Sequence, residues 1–142
     1  MLSDDERRTI HDACERLSLD YSYHADHGES DAWAALFAED AEMELFGQTH
    51  VGRAAIQAGV QNGAAPQRTV HAISNVRIDV ISATEAAGHV YISVYVAPKG
   101  ESVSTLPLLT PFAVGEYQDR YRKTAEGWRF ARRAFVPLIM AG

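Results

Sequence analysis

Thr69-Val70-His71-Ala72-Ile73-Ser74-Asn75-Val76-Arg77-Ile78-Asp79-Val80-Ile81 is the stretch whose reading decides the fold. It is long, rich in β-branched residues, and alternates at period two, which is the pattern of a strand with two distinct faces. Residues 88–96, 111–123 and 128–136 continue in the same character. Thr124-Ala125-Glu126-Gly127 supplies a hairpin loop between the last two. Residues 97–110 form the one long irregular connection, with prolines in it and just beyond it.

Upstream of this stretch the period changes to that of helices. Residues 4–27 read as a long amphipathic helix, capped by Ser3 or Asp4, with acids in its first turn. Ile10, Cys14, Leu17, Tyr21 and Ala25 make its apolar stripe, and Gly28 is its stop. A short second helix begins at Ser30 or Asp31 and turns Trp33, Leu36 and Phe37 inward. Residues 41–46 alternate as a strand closed by Gly47, and a third helix over residues 53–61 buries Ile56 and Val60. Helices first and strands after is an α+β arrangement with a mainly antiparallel sheet. Strands this long in a domain this small predict a strongly curved sheet, a cone-shaped α+β barrel with the N-terminal helices on its concave side. A cone cannot be packed solid at its mouth, so a half-open apolar pocket is expected there.

Composition narrows the function classes. The 142 residues fit one domain, 1–142, and 46% hydrophobic with 23% charged residues is ordinary for a soluble globular protein. A net charge of −6 argues against non-specific nucleic-acid binding, which needs a basic footprint. No apolar run reaches the length of a membrane span, and the charged first residues are not those of a signal peptide. A single cysteine, Cys14, excludes an internal disulfide and suits a reducing, cytoplasmic compartment. No cysteine pairs, glycine-rich phosphate loop or His-x-x-x-His spacing signals a metal or nucleotide, so no cofactor and no metal are expected. His24 and His27 stand three apart, a spacing more typical of solvated surface than of a metal site.

Four residues carry candidate chemistry: Tyr21, Asp26, His71 and Arg133. A carboxylate can fix an imidazole's tautomer, the imidazole can move a proton, and a phenol and a guanidinium can steady developing negative charge. Each also has a plain structural reading. His71 fits a half-buried strand histidine, Asp26 an exposed carboxylate at a helix end, and Tyr21 core packing on the apolar stripe. Arg133 can simply bridge an acid on an adjacent strand. A helical wheel sets Asp26 about 140° from Tyr21, so both face one cavity only if the helix is surrounded or unwinds near its end. Alternation requires that Arg132 and Arg133 point opposite ways without saying which enters the cone.

Leu36-Phe37-Ala38-Glu39-Asp40-Ala41, Gly52-Arg53-Ala54-Ala55-Ile56, His71-Ala72-Ile73-Ser74-Asn75-Val76, Gly115-Glu116-Tyr117-Gln118-Asp119-Arg120-Tyr121 and Gly127-Trp128-Arg129-Phe130 followed by Arg133 occur in that order. Together they resemble the SnoaL-like branch of the nuclear-transport-factor-2-like superfamily. That branch contains scytalone dehydratase, bile-acid 7α-dehydratase and hexachlorocyclohexane dehydrochlorinase. The resemblance implies an Asp26–His71 catalytic pair, Tyr21 as a hydroxyl donor and Arg133 as a pocket arginine. It also implies Met43, Ile92 and Val94 as apolar pocket walls. The implied activity is cofactor-independent elimination of water, or a similar leaving group, from a hydrophobic cyclic small molecule. An isomerase or polyketide-type cyclase could use the same pair, and a non-catalytic ligand-binding or assembly module could use the cone alone. Two departures stand out: Met43 and Leu45 occupy the strand where the dehydratases place a second tyrosine, and scytalone dehydratase's second histidine has no counterpart. Relatives in the branch imply a homo-oligomer, a trimer before a dimer. The apolar Phe135-Val136-Pro137-Leu138-Ile139-Met140 is expected to cover the pocket mouth or a neighbouring subunit.

Overall fold

The computed structural model describes residues 1–64, 66–100 and 102–142. Helix α1, Asp4–Asp26, begins where Ser3 Oγ accepts a hydrogen bond from the Glu6 N–H at 3.1 Å, the Ser-x-x-Glu spacing of a capping box. Ile10, Cys14, Leu17 and Tyr21 are buried along its stripe, and Ser18 and Ser22 lie beside them. A five-residue helix α2, Ser30–Ala34, then buries Trp33. Strand β1 spans Phe37–Leu45, longer than its sequence suggests, and β2 follows at Gln48–Val51. Sequence reading stops at Gly47 and misses β2, because four mostly exposed residues carry no hydrophobic signal. The turn is a two-residue loop with positive φ at both positions, Phe46 (49°) and Gly47 (77°). Such a turn favours Asn-Gly, so a phenylalanine there is strained, and its ring is put to use at the cavity mouth below.

Helix α3, Arg53–Ile56, passes into a π-helical turn at Gln57–Gln61, where one regular helix was expected. Gln57 reaches back to α2, its Nε2 donating to Asp31 Oδ1 at 2.7 Å and Ser30 Oγ at 3.0 Å. Four long strands complete the chain: β3 (Gln67–Val80), β4 (Glu85–Pro98), β5 (Ala113–Thr124) and β6 (Gly127–Met140). Of the irregular connection expected at 97–110, Glu101 lies outside the described residues.

The six strands form one curved sheet in the order β2-β1-β6-β5-β4-β3, antiparallel except where β1 runs parallel to β6. Helix α1 lies across the concave side and packs chiefly on β3. This is the expected α+β cone, with β2 and β3 as unjoined edges. Four register shifts shape it, one of them in the β1–β6 pairing between Phe37 and Glu42. In β3, Asn75 adopts φ 52° and the register shifts between Ser74 and Arg77, so Val76, Ile78 and Val80 come to the face that Ile73 occupies. Simple alternation would set Val76 on the other side. In β6 the register shifts around Ala131, so Phe130 and Arg133, three apart, are both fully buried. The fourth shift lies at Leu138, and β6 continues through Met140, paired with Ala113. The apolar tail is therefore the end of a strand, with Phe135 buried on the concave side and Leu138 and Ile139 exposed. No helix among the described residues is long and apolar enough to cross a membrane.

Candidate active site

A cavity of about 300 Å3 opens at the C-terminal end of α1, between that helix, the π-helical turn and the mouth of the cone. Ala25, Asp26, His27 and Gly28 all line it together with Tyr21. Residues at several azimuths of the helix end border the cavity, so Tyr21 and Asp26 reach the same space despite their separation on the helical wheel.

Asp26 is tied to β3 by three hydrogen bonds. Its Oδ1 accepts from His71 Nδ1 at 2.6 Å and from Thr69 Oγ1 at 3.1 Å, and its Oδ2 accepts the His71 backbone N–H at 2.9 Å. Inward alternation on β3 puts Thr69 and His71 on the face that α1 covers, which is why one helix-end carboxylate meets both. Both side chains are largely enclosed, 18% exposed for Asp26 and 14% for His71. With Nδ1–H committed to the carboxylate, Nε2 keeps its lone pair and has no hydrogen-bond partner among the described residues. An imidazole oriented in this way, at an apolar wall, can accept a proton.

Tyr21 is 3% exposed and stands in edge contact with His71, ring centroids 6.0 Å apart. It also contacts Tyr117 of β5 at 5.4 Å. Tyr117 lines the cavity as well and was not singled out from the sequence. The signal was present: alternation in Gly115-Glu-Tyr-Gln-Asp-Arg-Tyr121 puts Tyr117, Asp119 and Tyr121 on one face, a carboxylate among aromatic rings.

Arg133 points to the concave side and Arg132 outward to Glu44 at 3.0 Å, so the inward-facing arginine is the one that the resemblance implies. The pocket role expected of Arg133 needs correction, however. It is fully buried, does not line the cavity, and lies beneath the two tyrosines. Its guanidinium makes a bidentate pair with Asp119, Nε to Oδ1 at 2.8 Å and Nη2 to Oδ2 at 2.9 Å, and Nη2 also donates to Ser18 Oγ at 2.7 Å. Aromatic faces enclose the rest: its Cζ lies 3.7 Å from the Tyr117 ring centroid, 4.3 Å from Phe130 and 4.5 Å from Tyr21. Burial works against the charge, but Asp119 outweighs it and keeps the guanidinium ionised. Tyr121 adds a third hydrogen bond to Asp119 at 2.9 Å.

Of the expected walls, Val94 lines the cavity, but Met43 and Ile92 do not. Met43 is opposite Arg133 in the parallel register and shares its fully buried layer, while Ile92 is enclosed in the core. Phe46, Phe112 and Phe135 take their place. Phe46 contacts Phe135 at 5.3 Å and Phe112 at 6.0 Å, so the strained β1–β2 turn delivers a ring to the mouth. His24 pairs with Glu29 at 3.0 Å, and His27 stacks on Tyr23, so neither joins the other in a metal site. His11, Asp12 and Glu15 form the described grouping able to hold a cation, but they lie on the outer part of α1 and none lines the cavity.

Burial raises the proton affinity of four groups in and under this site. It pushes the Cys14 thiol up to about 12, with Asp119 adding to the effect. Burial likewise raises Tyr21, Tyr117 and Tyr121 above the ordinary phenol value. Each group binds its proton more tightly folded than unfolded, so above the unfolded values, about 8.5 for cysteine and 10 for tyrosine, the unfolded chain holds fewer protons and stability falls with rising pH. The thermal midpoint should therefore decline from about pH 8.5 upward, and Cys14→Ala should delay the onset to about pH 10. An unchanged onset in that variant would remove Cys14 from this account.

Comparison with solved structures shows the same architecture elsewhere. A putative scytalone dehydratase from Novosphingobium aromaticivorans is 28% identical, with a TM-score of 0.82 over 98% of this chain and 91% of that one. A Mycobacterium tuberculosis protein of unknown function is 24% identical, TM-score 0.82, over 99% of this chain and 79% of the other. LinA is 20% identical, TM-score 0.81, over 99% and 93%. At these last two identities the likeness is one of fold. No curated protein matches the sequence. The sequence profile of the SnoaL-like domain matches residues 6–134, nearly the whole chain, and the protein belongs to the SnoaL-like domain family.

Proposed function

We propose that the protein is a cofactor-independent lyase that eliminates water from a hydrophobic cyclic small molecule bearing a carbonyl. The observation that carries this reading is the 2.6 Å Asp26–His71 hydrogen bond, which leaves Nε2 free at the wall of an aromatic-lined cavity. The 28% identical relative described as a putative scytalone dehydratase supports the same reaction class. His71 Nε2 takes the proton from the carbon next to the carbonyl, and the C–H electron pair moves to give an enolate. The enolate then reforms the carbonyl as the new C=C forms, and the β C–O bond breaks with its electron pair on oxygen. That oxygen takes the proton back from the His71 imidazolium and leaves as water, so the protein ends unchanged. Asp26 keeps the imidazole oriented and offsets its transient charge, and the Tyr21 hydroxyl donates to the carbonyl oxygen. Arg133 acts from beneath, through the ring of Tyr21 and its neighbours, rather than by touching substrate.

A panel of cyclic β-hydroxy ketones in deuterated water tests this. Conjugated enone should accumulate, read by its ultraviolet absorbance, with one water lost per turnover. Deuterium exchange at the acidic carbon without loss of a group would instead indicate an isomerase or cyclase. Assembly belongs to the same proposal: the exposed Leu138 and Ile139 on β6, 61% and 67% accessible, suit a contact between copies, a trimer before a dimer. Light scattering should give three chain masses, and a strictly monomeric species would overturn it.

A further inference from the structure

Tyr117 offers the cavity a second phenol that the proposed mechanism does not yet use. Its side chain is buried to all but 3%, yet it lines the cavity, packed against Tyr21 on one side and Phe135 at 5.8 Å on another. The Arg133 guanidinium lies closer to this ring than to any other, 3.7 Å from its centroid. A cation held under a ring draws electron density from it and makes the hydroxyl a better hydrogen-bond donor. That cation cannot drift or lose its charge, because Asp119 grips it at two points in a fully buried layer.

Resting on the elimination reading above, we propose that Tyr117 is a catalytic residue: with Tyr21 it forms a two-phenol oxyanion site that receives the enolate oxygen of the substrate. The two rings are supplied by different elements, the helix α1 and the strand β5, and they pack against each other and against one guanidinium, 4.5 Å and 3.7 Å from its Cζ. Burial holds both phenols neutral, so they remain donors rather than becoming anions that would repel the enolate. Negative charge developing on the substrate oxygen is thereby met by two preorganised O–H dipoles backed by a fixed positive charge. The inference also narrows the substrate: its carbonyl oxygen must sit at the tyrosine pair while its acidic carbon reaches His71 Nε2. The chemistry fits a ketone or an aldehyde on a compact ring.

4-Nitrophenol is a suitable probe, because its anion mimics an enolate and absorbs differently from the neutral form. Bound to the protein it should ionise at a lower pH than in water. Tyr117→Phe, which keeps the ring over Arg133, should weaken the preference for the anion over the neutral phenol by about tenfold. Tyr21→Phe should do the same, and the double variant should abolish the preference. Circular dichroism and the thermal midpoint of each variant establish that it is folded. The inference is overturned if Tyr117→Phe binds and ionises the probe as the parent does, or if the parent shows no preference or no binding at millimolar probe. A Tyr117-dependent shift with no water lost from any hydroxy ketone would retain the oxyanion site and reject the dehydratase reading. Turnover that depends on His71 but is indifferent to Tyr117→Phe would do the reverse.

Discussion

His71→Ala is expected to lower kcat/KM on a hydroxy ketone substrate by at least the 10²–10⁴-fold typical of a lost general base. The protein should stay folded. The ring packs at a cavity wall, and its removal deletes one of the three hydrogen bonds that Asp26 accepts, a cost of about 1 kcal/mol. Asp26→Asn should be equally severe in rate but for a compound reason. The amide removes the negative charge opposite the imidazole and can favour the tautomer that carries the proton on Nε2. It also faces three donors with only one acceptor oxygen, so α1 loses part of its hold on β3 and stability should fall by about 1–3 kcal/mol. Measured kcat/KM and thermal midpoints for the two variants separate the effects. If His71→Ala keeps near-parental turnover, or loses activity only in step with unfolding, the dyad is not the catalyst and the scaffold reading gains.

The largest stability effect should come from the pair beneath the cavity. Asp119→Leu leaves a guanidinium with no side-chain exposure and no opposing charge, and breaking such a pair costs about 3–5 kcal/mol. For a domain of this size that is roughly 10–20 °C in thermal midpoint. Arg133→Met should cost a similar amount by stranding the carboxylate. The double variant Asp119→Leu with Arg133→Met removes both charges and should be markedly more stable than the sum of the two singles predicts. If that well-folded double variant also loses turnover, the charge is serving the phenols above it and not only the fold. If the singles are harmless, the layer is wetter than its burial indicates and Arg133 is not fixed as described.

Much of the fold was legible because local order was enough to reveal it. The cap at Ser3, the stripe Ile10, Cys14, Leu17 and Tyr21, and the alternation in the four long strands each reflect contacts between near neighbours in the chain. The Asp26–His71 pair was legible only by resemblance, since nothing in a 45-residue separation says that a helix end meets a strand. Even then the resemblance misplaced the arginine by one layer, as it did Met43 and Ile92.

What the sequence by itself determined is the set of faces: which residues of each helix and strand lie together on one side, and hence an α+β cone with a polar residue or two on its concave lining. What only the tertiary structure decided is how those faces meet. The bulge at Ala131 resets the alternation of β6, so that Phe130 and Arg133 share a face and Arg132 leaves it. The bulge at Asn75 does the same for Val76 in β3. The parallel pairing of β1 with β6 sets Met43 beside Arg133, and β5 brings Asp119 under it and Tyr117 over it. A bulge is one extra residue whose cost depends on the neighbouring strand, and an ion pair between positions 119 and 133 exists only once two strands have found their register. Period and propensity are local quantities, whereas register is settled by the whole sheet closing around its core.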